Sequence, residues 1–321
     1  MKNNFLSFAA LLILSSLLLA ACGSAPAGDS AAEADSIQVL ASTTFLADIA
    51  QNVAGDRLTV ASLLPFGADP HAYQAAPSDV AKISESNLLI LNGVEYEHFV
   101  ESLLENAGGE RIIVEATAGL EPHAMEEHSG EDHAAEAESA EGHDHEAGDP
   151  HMWLDPNLVI TYVENIRDGL IKVDAEGAEI YKSNADAYIA QLKELDKWIV
   201  EQVNTIPAER RLLVTNHEAM GYFAERYGFE VTGSVIPSFS SNAAPSAQEM
   251  AGLVDEIKRL GAPAIFLDTA DNDVLARQIA DETGVMIVSD LHLESLTDGA
   301  PAPTYIGMMK DNVSKIVEAL K

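Results

Sequence analysis

The feature that most constrains this chain is an alternation of short apolar runs with amphipathic stretches, repeated on both sides of one long helical segment. From Ile37, the runs IQVLAST, LTVASLLP, LLILNG and RIIVEA have strand character. They are separated by FLADIAQNVAG, PSDVAKISES and EYEHFVESLLENAGG, which have helical period. Strand and helix in alternation imply βαβ units and a largely parallel sheet. After a helix predicted from near Pro156 comes EGAEIYKSNADAYIAQLKELDKWIVEQVNTI, with Tyr181, Tyr188, Leu192, Leu195, Ile199 and Val203 near helical spacing. Such a helix is roughly 45 Å long at 1.5 Å per residue, enough to span a small domain. The alternation then resumes with RLLVTN, HEAMGYFAERYG, FEVTGSVIPS, SAQEMAGLVDEIKRLG, AIFLDTA, NDVLARQIADETG, VMIVSD and TYIGMMKDNVSKIVEALK.

The predicted fold class is therefore α/β, with two lobes of mostly parallel sheet joined by one long rigid helix. The expected boundaries are 37–173 for the N-terminal lobe, 174–205 for the linking helix and 206–321 for the C-terminal lobe. A small ligand would sit in the cleft between the lobes, at the carboxyl ends of the strands.

The residues before Ile37 are of a different kind. An apolar run from Phe5 to Ala21, interrupted only by Ser7, Ser15 and Ser16, has the length of a signal-peptide core. It ends in Leu-Ala-Ala-Cys, which resembles a bacterial lipobox and makes Cys22 the expected lipid-attachment residue. Residues 1–21 are thus expected to be a signal peptide and 22–36, small and polar, a flexible tether. Cys22 is the only cysteine, so an intramolecular disulfide is excluded. The expected location is exported, anchored by lipid to the outer face of the cell membrane, or periplasmic. With 18 Lys+Arg against 52 Asp+Glu, the chain lacks the basic clusters that phosphate backbones require, which argues against nucleic acid as a partner.

Residues 121–149 interrupt the first lobe with eleven carboxylates, five histidines and no basic residue. The segment has no period and few large apolar side chains, so its burial cannot offset its ordering entropy, and a disordered loop is predicted. His123, His128, His133, His143 and His145 offer many rearrangeable ligand sets, hence a secondary, weaker metal site.

Three further histidines follow strands or lie in turn-rich phrases: His71 in GADPHAYQ, His151 in DPHMWLDP and His217 in TNHEAMGYF. Alone, each is better explained by a structural hydrogen bond. Together they carry more weight, because two share Asp-Pro-His, a triplet that fixes a turn and directs the following side chain. A carboxylate at a fourth position would come from the strand end VMIVSD, at Asp290. Asp69, Asp149 and Asp155 fit either of two roles, orienting imidazoles or forming turns. His292 lies two residues beyond Asp290 and stays open as a contributor. Glu218 beside His217 does not make a metalloprotease motif, since HExxH needs histidine where Gly221 stands. It suits the first turn of a helix.

GADPHAYQ, DPHMWLDP, TNHEAMGYFAERYGF, Asp290 and TYIGMMKDN together resemble the metal-binding solute-binding proteins of ABC transporters, the receptors of zinc and manganese importers. The similarity runs from about residue 37 to 321. It implies a metal held between the lobes by His71, His151, His217 and Asp290, a monomer, and delivery to an ABC permease and its ATPase. It implies no enzymatic activity. Three imidazoles and one carboxylate suit tetrahedral Zn2+. Manganese receptors of the family typically offer glutamate where this chain has His217, so Mn2+ is the alternative cargo. A zinc hydrolase would need the fourth position open to water, and an adhesin or extracellular metal buffer would need no transporter. Imidazole ligation also predicts weaker binding as pH falls below about 6.5, the ordinary histidine value.

Overall fold

The computed structural model describes residues 37–124 and 148–321. Cys22 and four of the loop histidines, His128, His133, His143 and His145, lie outside the described residues. The first lobe contains β1 (Val39–Ala41), α1 (Thr44–Ala54), β2 (Val60–Ser62), α2 (Pro77–Glu85), β3 (Leu88–Leu91), α3 (His98–Ala107) and β4 (Ile112–Glu115). Its sheet has the order β2-β1-β3-β4 and every pairing is parallel. Then come α4 (Val159–Val173) and the long α5 (Ala178–Val203). The second lobe contains β5 (Leu212–Thr215), α6 (Gly221–Tyr227), β6 (Glu230–Ser234), α7 (Ala247–Leu260), β7 (Ala264–Asp268), α8 (Val274–Thr283), β8 (Met286–Leu291) and α9 (Tyr305–Leu320). Its sheet, β6-β5-β7-β8, is also wholly parallel.

Both sheets are covered on both faces, and the period-2 alternation of the strands assigns each side chain to a face. Leu40 and Leu89 point to an outer cluster with Ile83, Val100 and Leu103. Val39, Ala41, Leu88 and Ile90 point to the central core. In the second lobe, Val214, Ile265 and Leu267 join an outer cluster, while Leu213, Ala264 and Phe266 face the centre. That central core is continuous through both lobes, taking in Tyr181, Tyr188, Leu192 and Ile199 of α5 and Tyr305, Met308, Val313 and Ile316 of α9.

Local rules account for most helix ends. Thr43 caps α1 and Thr304 caps α9 through their hydroxyls. Ser246 and Glu249 form a reciprocal capping box at α7. Gly228, Gly261 and Gly284 end α6, α7 and α8 with left-handed backbone. Gly169 lets α4 approach the sheet, since a β-carbon there would stand 2.4 Å from Cγ2 of Val114. One expectation shifts: the helix predicted from His217 begins only at Gly221. Residues 217–220 form a bend in which Glu218 N–H donates to the Ser238 carbonyl at 2.9 Å. Glu218 is therefore not a first-turn acid.

Candidate metal centre

Each candidate ligand stands just beyond the carboxyl end of a strand or its following loop, where parallel sheets leave backbone free to turn. The two Asp-Pro-His triplets make the same turn. His71 N–H donates to Asp69 Oδ1 at 2.8 Å, and His151 N–H donates to Asp149 Oδ1 at 2.9 Å. His217 follows β5, where the Thr215 hydroxyl donates to the His217 carbonyl at 2.7 Å. The two turns and the β5 exit bring three imidazoles to one point between the lobes.

The fourth member is Glu294. Its Oε1 lies 3.1 Å from His217 Nε2, 3.2 Å from His151 Nε2 and 3.6 Å from His71 Nε2. The two imidazoles His151 and His217 are 3.4 Å apart at Nε2, and all four ligand atoms lie within 4.8 Å of one another. An ion bonded at about 2.0–2.1 Å to four tetrahedral ligands holds them about 3.3 Å apart. Three of the separations already match that edge, and a shift of His71 completes the set. At 3.6 Å the His71–Glu294 contact is too long for a hydrogen bond, and His71 Nε2 is buried with no hydrogen-bond partner. A buried polar atom without a partner is what a metal ligand is before its ion arrives.

Asp290 is corrected. It belongs to β8, its side chain is 64% exposed, and it pairs with Lys315 at 3.1 Å, outside the cluster. The reason lies in how the strand ends. β8 runs on to Leu291, and buried Asp268 of β7 accepts the backbone N–H groups of Leu293 and Glu294. The chain is thereby turned inward, and the carboxylate delivered to the site is the next one along. His292 also stays outside the cluster. Its backbone is clasped by Asn312 through two hydrogen bonds, and its ring stands 3.8 Å from Asp311.

The three flanking aspartates divide their roles. Asp149 Oδ1 accepts from His151 Nδ1 at 2.7 Å, which turns Nε2 toward the cluster. Asp69 forms its turn and also accepts from the Ser241 hydroxyl of the second lobe at 2.7 Å. Asp155 only makes a turn, accepting from Asn157. His123, at the start of the acidic segment, stacks on Tyr222 of α6 at 4.0 Å and lies 2.9 Å from Glu225, away from the four-residue cluster.

Electrostatically the site is one carboxylate facing imidazoles. Burial opposes the charge of Glu294, but His71 and the hydrogen bonds from His151 and His217 more than offset it and hold the carboxyl well below its usual range. Burial likewise opposes a proton on His151, yet Asp149 and Glu294 outweigh it and push the imidazole up to about 9. A small cavity of about 20 Å³, lined by His71, Glu95, Tyr96, His98, Phe239 and Ser240 among others, borders the His71 side of the cluster.

Residues 39–319 match the family described as ZnuA, zinc-uptake complex component A, periplasmic. The chain belongs to that family. It is a metal-binding substrate-binding protein of ABC transporters, with the two parallel-sheet lobes and long helix of that fold. The manganese-binding lipoprotein MntA of Halalkalibacterium halodurans is 34% identical over 321 residues, covering 100% of this chain and 99% of its own. The iron-binding protein YfeA of Yersinia pestis is 32% identical over 286 residues, 89% of this chain and 86% of its own. Among solved structures, the periplasmic zinc-binding protein TroA of Treponema pallidum superposes with a TM-score of 0.76 at 28% identity, covering 89% of this chain and 99% of TroA. These three relatives carry three metals in their names, so family membership leaves the cargo open. The donor atoms of this chain must decide it. Members of the family are transport proteins rather than enzymes, and among the described residues no helix is long and apolar enough to cross a membrane.

Proposed function

We propose that this protein is an extracytoplasmic zinc receptor that hands Zn2+ to an ABC-type import permease and its ATPase. The ligands in this reading are His71, His151, His217 and Glu294. It rests on one observation: three imidazole nitrogens and a single carboxylate oxygen converge on one buried point, at spacings near a tetrahedral edge. An N3O set of four suits zinc, whereas manganese favours more oxygen ligands and six-coordinate geometry. The manganese alternative draws support from MntA and from the manganese-bound periplasmic metal-binding protein of Candidatus Liberibacter asiaticus, TM-score 0.75 at 27% identity over 89% of this chain and all of its own. The protein acts as a monomer, tethered through lipid on Cys22. The histidine-rich segment is a weaker, secondary zinc site.

The test is metal competition on protein purified without an affinity tag and stripped with a chelator. Zinc displaces manganese when the two are equimolar, and one tight equivalent survives deletion of residues 125–147. Preferential retention of manganese would reject the zinc reading.

A further inference from the structure

Glu294 uses its two oxygens differently. Oε1 faces the imidazoles, while Oε2 accepts a hydrogen bond from the Tyr96 hydroxyl at 2.5 Å. We propose that Tyr96 is a specificity-determining residue, which keeps Glu294 bound through one oxygen and so holds the site at four ligands, against cations that take five or six. This rests on the zinc reading above for the identity of the cargo, but the effect of Tyr96 is read from a change between two proteins.

A carboxylate chelates an ion only when both oxygens turn toward it. Here that rotation would break a short hydrogen bond and leave a buried phenol with no acceptor. Its position is firmly set. The ring is buried, packs on Trp153 at 4.9 Å and meets His71 edge-on at 5.3 Å. The loop that carries it has Val94 at φ 55° and Glu95 at φ 53°, a left-handed backbone that a β-branched residue rarely adopts. Buried Glu97 fixes that loop by accepting from Asn92 N–H at 2.6 Å, Gly93 N–H at 3.3 Å and the Ser42 hydroxyl at 2.6 Å. Strain retained this close to a binding point, and held by a dedicated buried carboxylate, indicates that the placement of Tyr96 matters.

The experiment compares the wild-type protein with Tyr96→Phe, which keeps the ring and loses only the donor. Zinc and manganese affinities are measured by competition, and the visible spectrum of the cobalt(II) complex reports coordination number, since four-coordinate cobalt absorbs far more strongly than five- or six-coordinate cobalt. The zinc-to-manganese affinity ratio is expected to fall at least about tenfold in the variant, with a weakened cobalt spectrum, in line with the usual effect of removing a group that orients a ligand. A smaller fall, or an equal loss for both metals with an unchanged spectrum, overturns the proposal. If the variant does not fold, X-ray absorption on the zinc-loaded wild type decides: four nitrogen or oxygen neighbours support it, and five or six reject it. A wild-type preference for manganese would defeat the zinc reading but leave the ratio between the two proteins to judge Tyr96.

Discussion

Glu294→Ala and Asp290→Ala separate two assignments that lie four residues apart. In the proposed metal-loaded site Glu294 supplies the only negative charge among the four ligands, and the point it faces is shielded from water, with His151 fully buried and Glu294 nearly so. Removing one partner of a buried, hydrogen-bonded charge pair costs about 3–5 kcal/mol. At about 1.4 kcal/mol per factor of ten, zinc affinity should fall by about 100- to 5,000-fold. Asp290, by contrast, is largely exposed and its partner is Lys315. An exposed pair of this kind contributes at most about 1 kcal/mol to stability, and its removal should change zinc affinity by no more than about twofold. Both are measured at pH 7.5 by competition with a chromophoric zinc chelator, with circular dichroism confirming the fold. Glu294→Gln serves as the control that keeps the size of the side chain and removes its charge. If Asp290→Ala loses more zinc affinity than Glu294→Ala, the geometric assignment of the fourth ligand is wrong.

Two further outcomes follow from the same geometry. Because His151 titrates near 9 in the metal-free protein rather than at 6.5, a bound metal displaces its proton at neutral pH. Zinc affinity should rise about tenfold per pH unit from about 6.5 to about 9 and then flatten, with about one proton released per ion in calorimetry at pH 7.5. The sign for the metal-free fold is opposite: a raised histidine value stabilises it fully below about 6.5, and that contribution is lost as pH rises through about 9. An affinity flat from pH 7 to 9 refutes this. In the core, Gly169→Ala should destabilise the protein by about 1–2 kcal/mol in urea unfolding, because overpacking against buried Val114 outweighs the better helix propensity of alanine. An increase in stability would show that α4 can back away from the sheet.

The fold was legible because its determinants are local. Alternation marks the strands, caps such as Ser246 and glycines such as Gly261 mark helix ends, and the Asp-Pro-His triplets at His71 and His151 close by contacts two residues long. What the sequence concealed depends on partners far along the chain. Residues 290, 292 and 294 share one face of any strand that includes them, so periodicity cannot choose between Asp290 and Glu294. The choice is made by Asp268, more than twenty residues earlier, which captures the backbone at Leu293 and Glu294. The helix expected from His217 is shortened in the same way, by the bond from Glu218 to Ser238. Tyr96 lies inside an amphipathic pattern, and what sets it apart is its bond to Glu294, 198 residues along the chain.

The same long-range contacts bear on how the ion leaves. Glu294 comes from the second lobe, where Asp268 holds its backbone, and its loop is fastened to the first lobe as well. Trp153 Nε1 donates to the Leu293 carbonyl at 2.8 Å, Gly67 N–H to the Ser295 hydroxyl at 2.8 Å, Leu296 N–H to the Thr44 hydroxyl at 2.9 Å, and Tyr96 to Glu294 itself. His71 and His151 belong to the first lobe outright. The backbone of His217 is held by second-lobe groups, through Thr215, and by Asn216 bonded to Asp271. The shared core along α5 opposes wide hinge bending, so small lobe displacements are expected. A small displacement does not open the site symmetrically. On the four-ligand reading proposed above, it would part His217 from His71 and His151, while Glu294 is tied to both sides. On that reading, release to a permease is expected to begin at the His217 imidazole.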